Sequence, residues 1–133
     1  MYSISKSFNF CYGHRLMGDS GRCKHLHGHT AKVVINIRKD ALEETGMVCH
    51  FDELKDLAGK WIADNLDHSM LLSKHDPLAK LLKESGERVF VMDGNPTAEN
   101  IAELIFKNLK QKGLDLFSVQ VWESDTARAE YTA

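Results

Sequence analysis

The run Thr30-Ala31-Lys32-Val33-Val34-Ile35-Asn36-Ile37-Arg38 is the strongest constraint on what this chain can fold into. It is rich in β-branched residues and free of Gly and Pro, so it reads as a strand. The stretch Cys23-Lys24-His25-Leu26-His27-Gly28-His29 leads into it. If the strand is entered at about His27, then His27 and His29 point to one face, roughly 6.6 Å apart along the backbone. Two imidazoles on one face can share one metal ion. His14 follows the alternating run Ile4 to Phe10 and stands at the end of a neighbouring strand over about Tyr2 to Tyr12. Three histidines from two strands form a candidate Zn²⁺ site.

Between these strands, Gly13 to Leu26 holds Gly18, Gly21, Arg15, Arg22 and Lys24, and reads as a basic, solvated loop. After Arg38 the chain turns through Asp40 to Gly46, and Met47 to Phe51 is an extended entry to a helix that Asp52 is placed to cap. Leu54, Leu57, Ala58, Trp61 and Ile62 recur at helical spacing up to about Leu66. Asp67 to Leu72 ends this helix or starts the next turn. Asp76 to Glu84 reads as a short helix stopped by Gly86, and Arg88 to Met92 as a short apolar strand. Ile101, Leu104, Ile105 and Leu109 line a further helix, with Asn95 and Thr97 as alternative caps. Phe117, Val119, Val121 and Glu123 share one parity of a late strand, which places Glu123 at its end, and Arg128 to Thr132 adds a last strand. The order implies an α+β domain: an antiparallel four-stranded sheet with two main helices on one face. Its edges need covering or pairing, and pairing between identical subunits is one solution.

With 133 residues, 43% of them hydrophobic, one domain spanning 1–133 suffices to bury a core. The net charge of −2 argues against nucleic acid as a partner, since phosphate-backbone binding shows as a basic excess. Cys11, Cys23 and Cys49 are odd in number. No signal peptide or long apolar span is visible, which points to a reducing cytoplasm and no membrane association.

The order and spacing of several short motifs carry a family resemblance over nearly the whole chain. Phe10 to His14 precedes the Cys23-x-x-x-His27-Gly28-His29 motif, followed by Gly46-Met47-Val48, Phe51 and Leu54-Lys55. Leu66-Asp67-His68, then Pro96-Thr97-Ala98-Glu99-Asn100 and the late Glu123 complete the series. In this the chain resembles the 6-pyruvoyl-tetrahydropterin synthase and 6-carboxytetrahydropterin synthase family. The resemblance implies the tunnelling fold, in which homo-oligomers (trimer-based hexamers or tetramers) join their sheets into a barrel and place active sites at subunit contacts.

It also implies a small-molecule pterin substrate, 7,8-dihydroneopterin triphosphate, and roles for particular residues. His14, His27 and His29 would hold Zn²⁺ with open positions, so that the metal, as a Lewis acid, acidifies a C–H bond in the side arm of the substrate. Cys23 corresponds to the residue that moves the proton, and the cationic Arg22 and Lys24 beside it favour a thiolate. Asp67 and His68 correspond to the pair completing the acid–base set. Neighbours on a regular helix diverge, so the helix must end or distort there for both to serve one site. Glu123 corresponds to the pterin anchor, a carboxylate accepting two parallel hydrogen bonds. The implied activity is that of a 6-carboxy-5,6,7,8-tetrahydropterin synthase, which releases triphosphate and acetaldehyde on the route to queuosine and related deazapurines. A 6-pyruvoyl-tetrahydropterin synthase, or a non-catalytic zinc- or pterin-binding module, is the alternative.

Singly, each residue has a plainer reading. A bare H-x-H is more often a pair of polar residues on a wet sheet face, and Cys23 could close a structural Cys-His₃ site. Asp67 and His68 could be a helix-end charge and a satisfied polar side chain, Glu123 a routine strand-end carboxylate. The sequence also departs from the family pattern. Tyr12 and Gly13 stand where F-x-A-x-H is usual, His50 replaces a common aspartate, Leu72 replaces an asparagine, and Ser73 to Asn95 is longer than the usual connection.

Overall fold

A computed structural model describes residues 1–133. Two long strands, β1 (Tyr2–His14) and β2 (His27–Lys39), pair antiparallel from Tyr2↔Lys39 to His14↔His27. β5 (Ser118–Trp122) pairs antiparallel with β2, and β6 (Arg128–Thr132) with β5. These four strands are the expected antiparallel sheet. It continues beyond β1 through two short parallel strands, β3 (Ser69–Ser73) and β4 (Val89–Met92), giving six strands in the order β4-β3-β1-β2-β5-β6. The four-strand expectation is thus corrected at one edge. Met70 to Ser73 looks like a helix ending from its own residues and becomes a strand because Tyr12 to His14 and Val89 to Met92 flank it.

One face of the sheet is apolar. Phe10, Tyr12, Ala31, Val33, Ile35, Ile37, Val119 and Val121 alternate onto it and are buried. The helices close over this face. α1 (Phe51–Leu54) passes through a π-helical turn at Lys55–Gly59 into α2 (Lys60–Asn65). Leu54, Ala58, Ile62 and Leu66 from this segment are buried, as are Ile101, Ala102, Ile105 and Leu109 from α4 (Ala98–Gln111), and all join the strand residues in one 23-residue cluster. Burying a Leu or Ile side chain contributes about 1.5–3 kcal/mol, so this seam dominates the packing. Gly59 meets Phe8 closely: a Cβ there would lie 2.8 Å from the Phe8 ring.

Caps resolve two local expectations. His50, not Asp52, is the residue before α1, no side chain caps that end, and Asp52 sits in the first turn. At α4 the choice falls to Thr97, whose hydroxyl accepts from Asn100 N at 3.2 Å.

The opposite face is polar over most of its width. Ser3, Ser5, Ser7, Asn9 and Cys11 from β1 alternate outward and are exposed. At the β3–β4 edge the short helix α3 (Leu78–Glu84) packs on this side, burying Leu72 and Ala79 outside the main cluster. Its approach is fixed by Asp76, which is buried and accepts from Arg15 Nε at 2.7 Å, from Arg15 Nη2, and from Leu78 N at 2.9 Å. Arg15 therefore departs from the solvated basic loop read in the sequence. It ties the long 73–95 connection to the end of β1.

Candidate metal centre and pterin site

The register of β1 and β2 builds the centre directly. His14 is paired with His27, and Tyr12 with His29, so all four side chains lie on the helix-covered face. The ring nitrogens that His14, His27 and His29 can offer lie within 4.8 Å of one another, and no other His, Cys, Asp or Glu group of three converges in this way. Cys23 stands outside that set.

Two backbone carbonyls choose which nitrogen each ring presents. His14 Nδ1 lies 2.7 Å from Pro96 O, and His27 Nδ1 lies 2.8 Å from His25 O. A carbonyl oxygen only accepts, so each Nδ1 donates and each neutral ring keeps a lone pair on Nε2. Those two Nε2 atoms face each other at 3.0 Å. His29 Nε2 is buried and has no hydrogen-bond partner at all. Two inward lone pairs facing each other, beside a third buried ring nitrogen with no partner, are costly unless a cation takes them. Carbonyl-pinned imidazoles are how proteins orient metal ligands. The donor set fits zinc, whose nitrogen ligands in a tetrahedral site stand roughly 3.3 Å apart. His14 is 2% exposed, and burial is the first cause of its lowered pKa, followed in the same direction by His27 and His29.

Glu123 reaches the same place from the end of β5. Its Oε1 lies 4.0 Å from His29 Nε2 and accepts from the Tyr12 hydroxyl at 3.4 Å. The Tyr12 ring packs edge-on to His14 at 5.0 Å and tilted to His29 at 5.7 Å between centroids. Burial first, then the Glu123 charge, raises the Tyr12 pKa, so its hydroxyl stays protonated and donates. Tyr12 was legible only as a departure from pattern; its bond to Glu123 was not. Neither were Pro96 O and His25 O, because no side-chain pattern marks a backbone acceptor.

Asp67 and His68 are brought to each other, and neither belongs to the converging group of three histidines. The helical segment ends at Leu66, and His68 takes a left-handed backbone (φ 58°), the distortion expected of adjacent residues sharing a site. Asp67 Oδ2 lies 3.0 Å from His68 Nδ1, Asp67 Oδ1 accepts from Cys11 N at 2.9 Å, and His68 N donates to Cys11 O at 2.7 Å. The Cys11 N–H bond is the first cause of the lowered Asp67 pKa, with His68 and Arg88 adding to it. Arg88 Nη2 donates to Asp64 O and Asp67 O, both at 3.2 Å, and so closes the helix end. His68 borders an open cavity of about 600 Å³ together with Cys11, Tyr12, Gly28, His29, Thr30 and Arg88. Cys11, Gly28 and Thr30 alternate with Tyr12, His27 and His29 along the two strands, so their side positions turn to the polar face while Tyr12 and His29 border the same cavity from the strands. Cys23 sits half-buried in a 3₁₀ turn (Arg22–Lys24), with its carbonyl accepting from Leu16 N at 2.8 Å.

The architecture matches solved structures along almost the entire chain. It superposes on 6-pyruvoyl tetrahydropterin synthase from Caenorhabditis elegans with a TM-score of 0.75 at 22% identity, covering 99% of this chain and 95% of that one. An uncharacterized protein from Wolinella succinogenes gives a TM-score of 0.81 at 26% identity, covering 98% and 97%. The expected α+β tunnelling fold is therefore the fold of this protein. In sequence, the family model described as 6-pyruvoyl tetrahydropterin synthase matches residues 3–133. The 6-carboxy-5,6,7,8-tetrahydropterin synthase of Haemophilus influenzae is 35% identical over 98% of this chain and 99% of its own. That of Rickettsia bellii is 38% identical over 77% and 75%. The chain belongs to the 6-pyruvoyl tetrahydropterin synthase family.

Proposed function

We propose that this protein is a zinc-dependent 6-carboxy-5,6,7,8-tetrahydropterin synthase: it converts 7,8-dihydroneopterin triphosphate with release of triphosphate and acetaldehyde, a step toward queuosine and related deazapurines. The observation that carries the reading is the pair of carbonyl-pinned imidazoles whose free Nε2 atoms face each other at 3.0 Å, beside an unpartnered His29 Nε2. The names of the relatives at 35% and 38% identity support the choice of product. Zinc, when bound by His14, His27 and His29, supplies Lewis acidity that makes a neighbouring C–H in the side arm of the substrate easier to deprotonate.

The protein's own residues do the rest. Glu123, held by Tyr12, accepts from the pterin ring N–H and amino group and so aims the substrate's side arm at the histidines. Cys23 takes the proton, and Asp67 with His68 form the pair that returns it. Asp67 and His68 stand outside the converging group of three histidines, and the reading puts each complete site at a contact between copies of one chain, with His68 supplied by a neighbour. The functional unit is then a cytoplasmic homo-oligomer of single-domain subunits, trimer-based hexamer or tetramer, whose edge strands β4 and β6 pair into a barrel.

The test is incubation of the zinc-loaded protein with 7,8-dihydroneopterin triphosphate, with mass spectrometric identification of products. Formation of 6-carboxytetrahydropterin and acetaldehyde is expected. A 6-pyruvoyl product would replace the proposal with the activity after which the family model is described. Tight pterin binding without turnover would make this protein a binding module.

A further inference from the structure

The turn Asn95-Pro96-Thr97 touches two parts of the site at once. Pro96 O accepts from His14 Nδ1 and so orients a proposed metal ligand. One residue earlier, the Asn95 side chain makes both hydrogen bonds that the Met17 backbone can offer. Asn95 Oδ1 accepts from Met17 N at 2.9 Å, and Asn95 Nδ2 donates to Met17 O at 2.8 Å. An amide that answers the N–H and C=O of one residue imitates a neighbouring strand and fixes position and orientation together. The clamp is itself held: Asn95 O accepts from Thr97 N at 2.9 Å and from Asn100 Nδ2 at 2.8 Å, which fastens it to the first turn of α4.

Met17 belongs to the loop that carries Cys23. That loop closes on itself where Leu16 N donates to Cys23 O at 2.8 Å, one residue from the clamp. No strand partner holds residues 15–26, so apart from His25 O, which accepts from His27 Nδ1, the Asn95 amide and the Arg15–Asp76 pair are their hydrogen-bonded tethers to the rest of the protein. Of the two, only Asn95 shares its turn with the carbonyl that orients His14.

We propose that Asn95 is a positioning residue that sets the Cys23 thiol against the three histidines, so that one turn fixes the metal-binding and proton-moving parts of the site relative to each other. The inference rests on the proton-moving role proposed for Cys23. Asn95→Ala removes both bonds to Met17. Asn95→Asp keeps the acceptor for Met17 N–H but sets an oxygen against Met17 O.

The experiment uses full-length, zinc-loaded protein and three readouts: zinc per chain, kcat and KM separately, and the shielding of Cys23 from iodoacetamide by bound neopterin, mapped by peptide mass spectrometry. In Asn95→Ala, zinc content and KM stay near the parent values while kcat falls about tenfold to a hundredfold, the scale of a misplaced reacting group. Neopterin, which shields Cys23 in the parent, no longer does so. Asn95→Asp falls between the two and serves as the decisive variant if Asn95→Ala does not fold. Parent-like kcat and shielding in the variant overturn the inference. Loss of zinc together with kcat also overturns it, by showing that the turn acts on His14 alone. A fully active Cys23→Ala protein refutes the role of Cys23 itself, a result distinguishable from parent-like behaviour of the Asn95 variants.

Discussion

At His14 and His27, two main-chain oxygens decide the chemistry of a ring, and the consequence is testable one residue at a time. Replacing His27 or His29 by Ala removes one of three converging nitrogens, and zinc content measured by metal analysis falls below one per chain. Cys23→Ala leaves zinc content unchanged and lowers turnover about 10²- to 10⁴-fold, the range for loss of a general base. Zinc lost from that variant would instead mark the sulfur as a fourth ligand of a closed site. Glu123→Gln keeps the shape of the side chain but loses its charge. Affinity for a pterin analogue, read by fluorescence titration, drops about tenfold to a hundredfold, as expected when a charge-assisted hydrogen bond of about 1.5–3 kcal/mol is removed. Unchanged affinity refutes the anchoring role.

Among the elements, the 73–95 connection owes its place to a single buried carboxylate. Asp76→Asn leaves Arg15 without its charged partner; with the Arg15 side chain 30% exposed, the loss is that of a charge-assisted hydrogen bond, about 1.5–3 kcal/mol, visible as a lower urea midpoint. Arg15, then the Leu78 N–H, holds the Asp76 pKa below its ordinary value of 3.8 against the opposing effect of burial. The unfolded chain thus binds this proton more readily than the folded one. The pair's contribution is complete above pH 3.8 and is lost as pH falls through the lower folded value. Acid titration of unfolding is accordingly steeper for the parent than for Asp76→Asn. Gly59→Ala presses a methyl group onto Phe8 and destabilises by about 1–3 kcal/mol through overpacking, measured by thermal melting. What the sequence made legible follows the same division. β2 and α4 announce themselves because their periodicity is local. β3 does not, since its five residues become a strand only through partners at Tyr12 and Val89. Likewise, H-x-H exposes two of the three converging histidines, whereas Pro96 O is 82 positions away from the ring it orients and leaves no trace in composition.

For the whole molecule, the proposal that complete sites lie between copies of the chain makes a prediction about mixtures. Subunits carrying Cys23→Ala and subunits carrying His68→Ala are each inactive, and co-refolded together they regain measurable turnover if complete sites draw on two copies. No recovery would assign both residues to one subunit's own site. The sequence could suggest which residues act together but not the face of the sheet each one occupies, since that depends on register. The outward residues of β1 carry a last consequence. Ser3, Ser5, Ser7 and Asn9 make the β1 stretch of that side a strip with nothing oily to exclude water with. Two copies would gain little by stacking along this strip, so association of copies would favour rim-to-rim joining, and a space enclosed by such a ring would meet hydroxyls and solvent there.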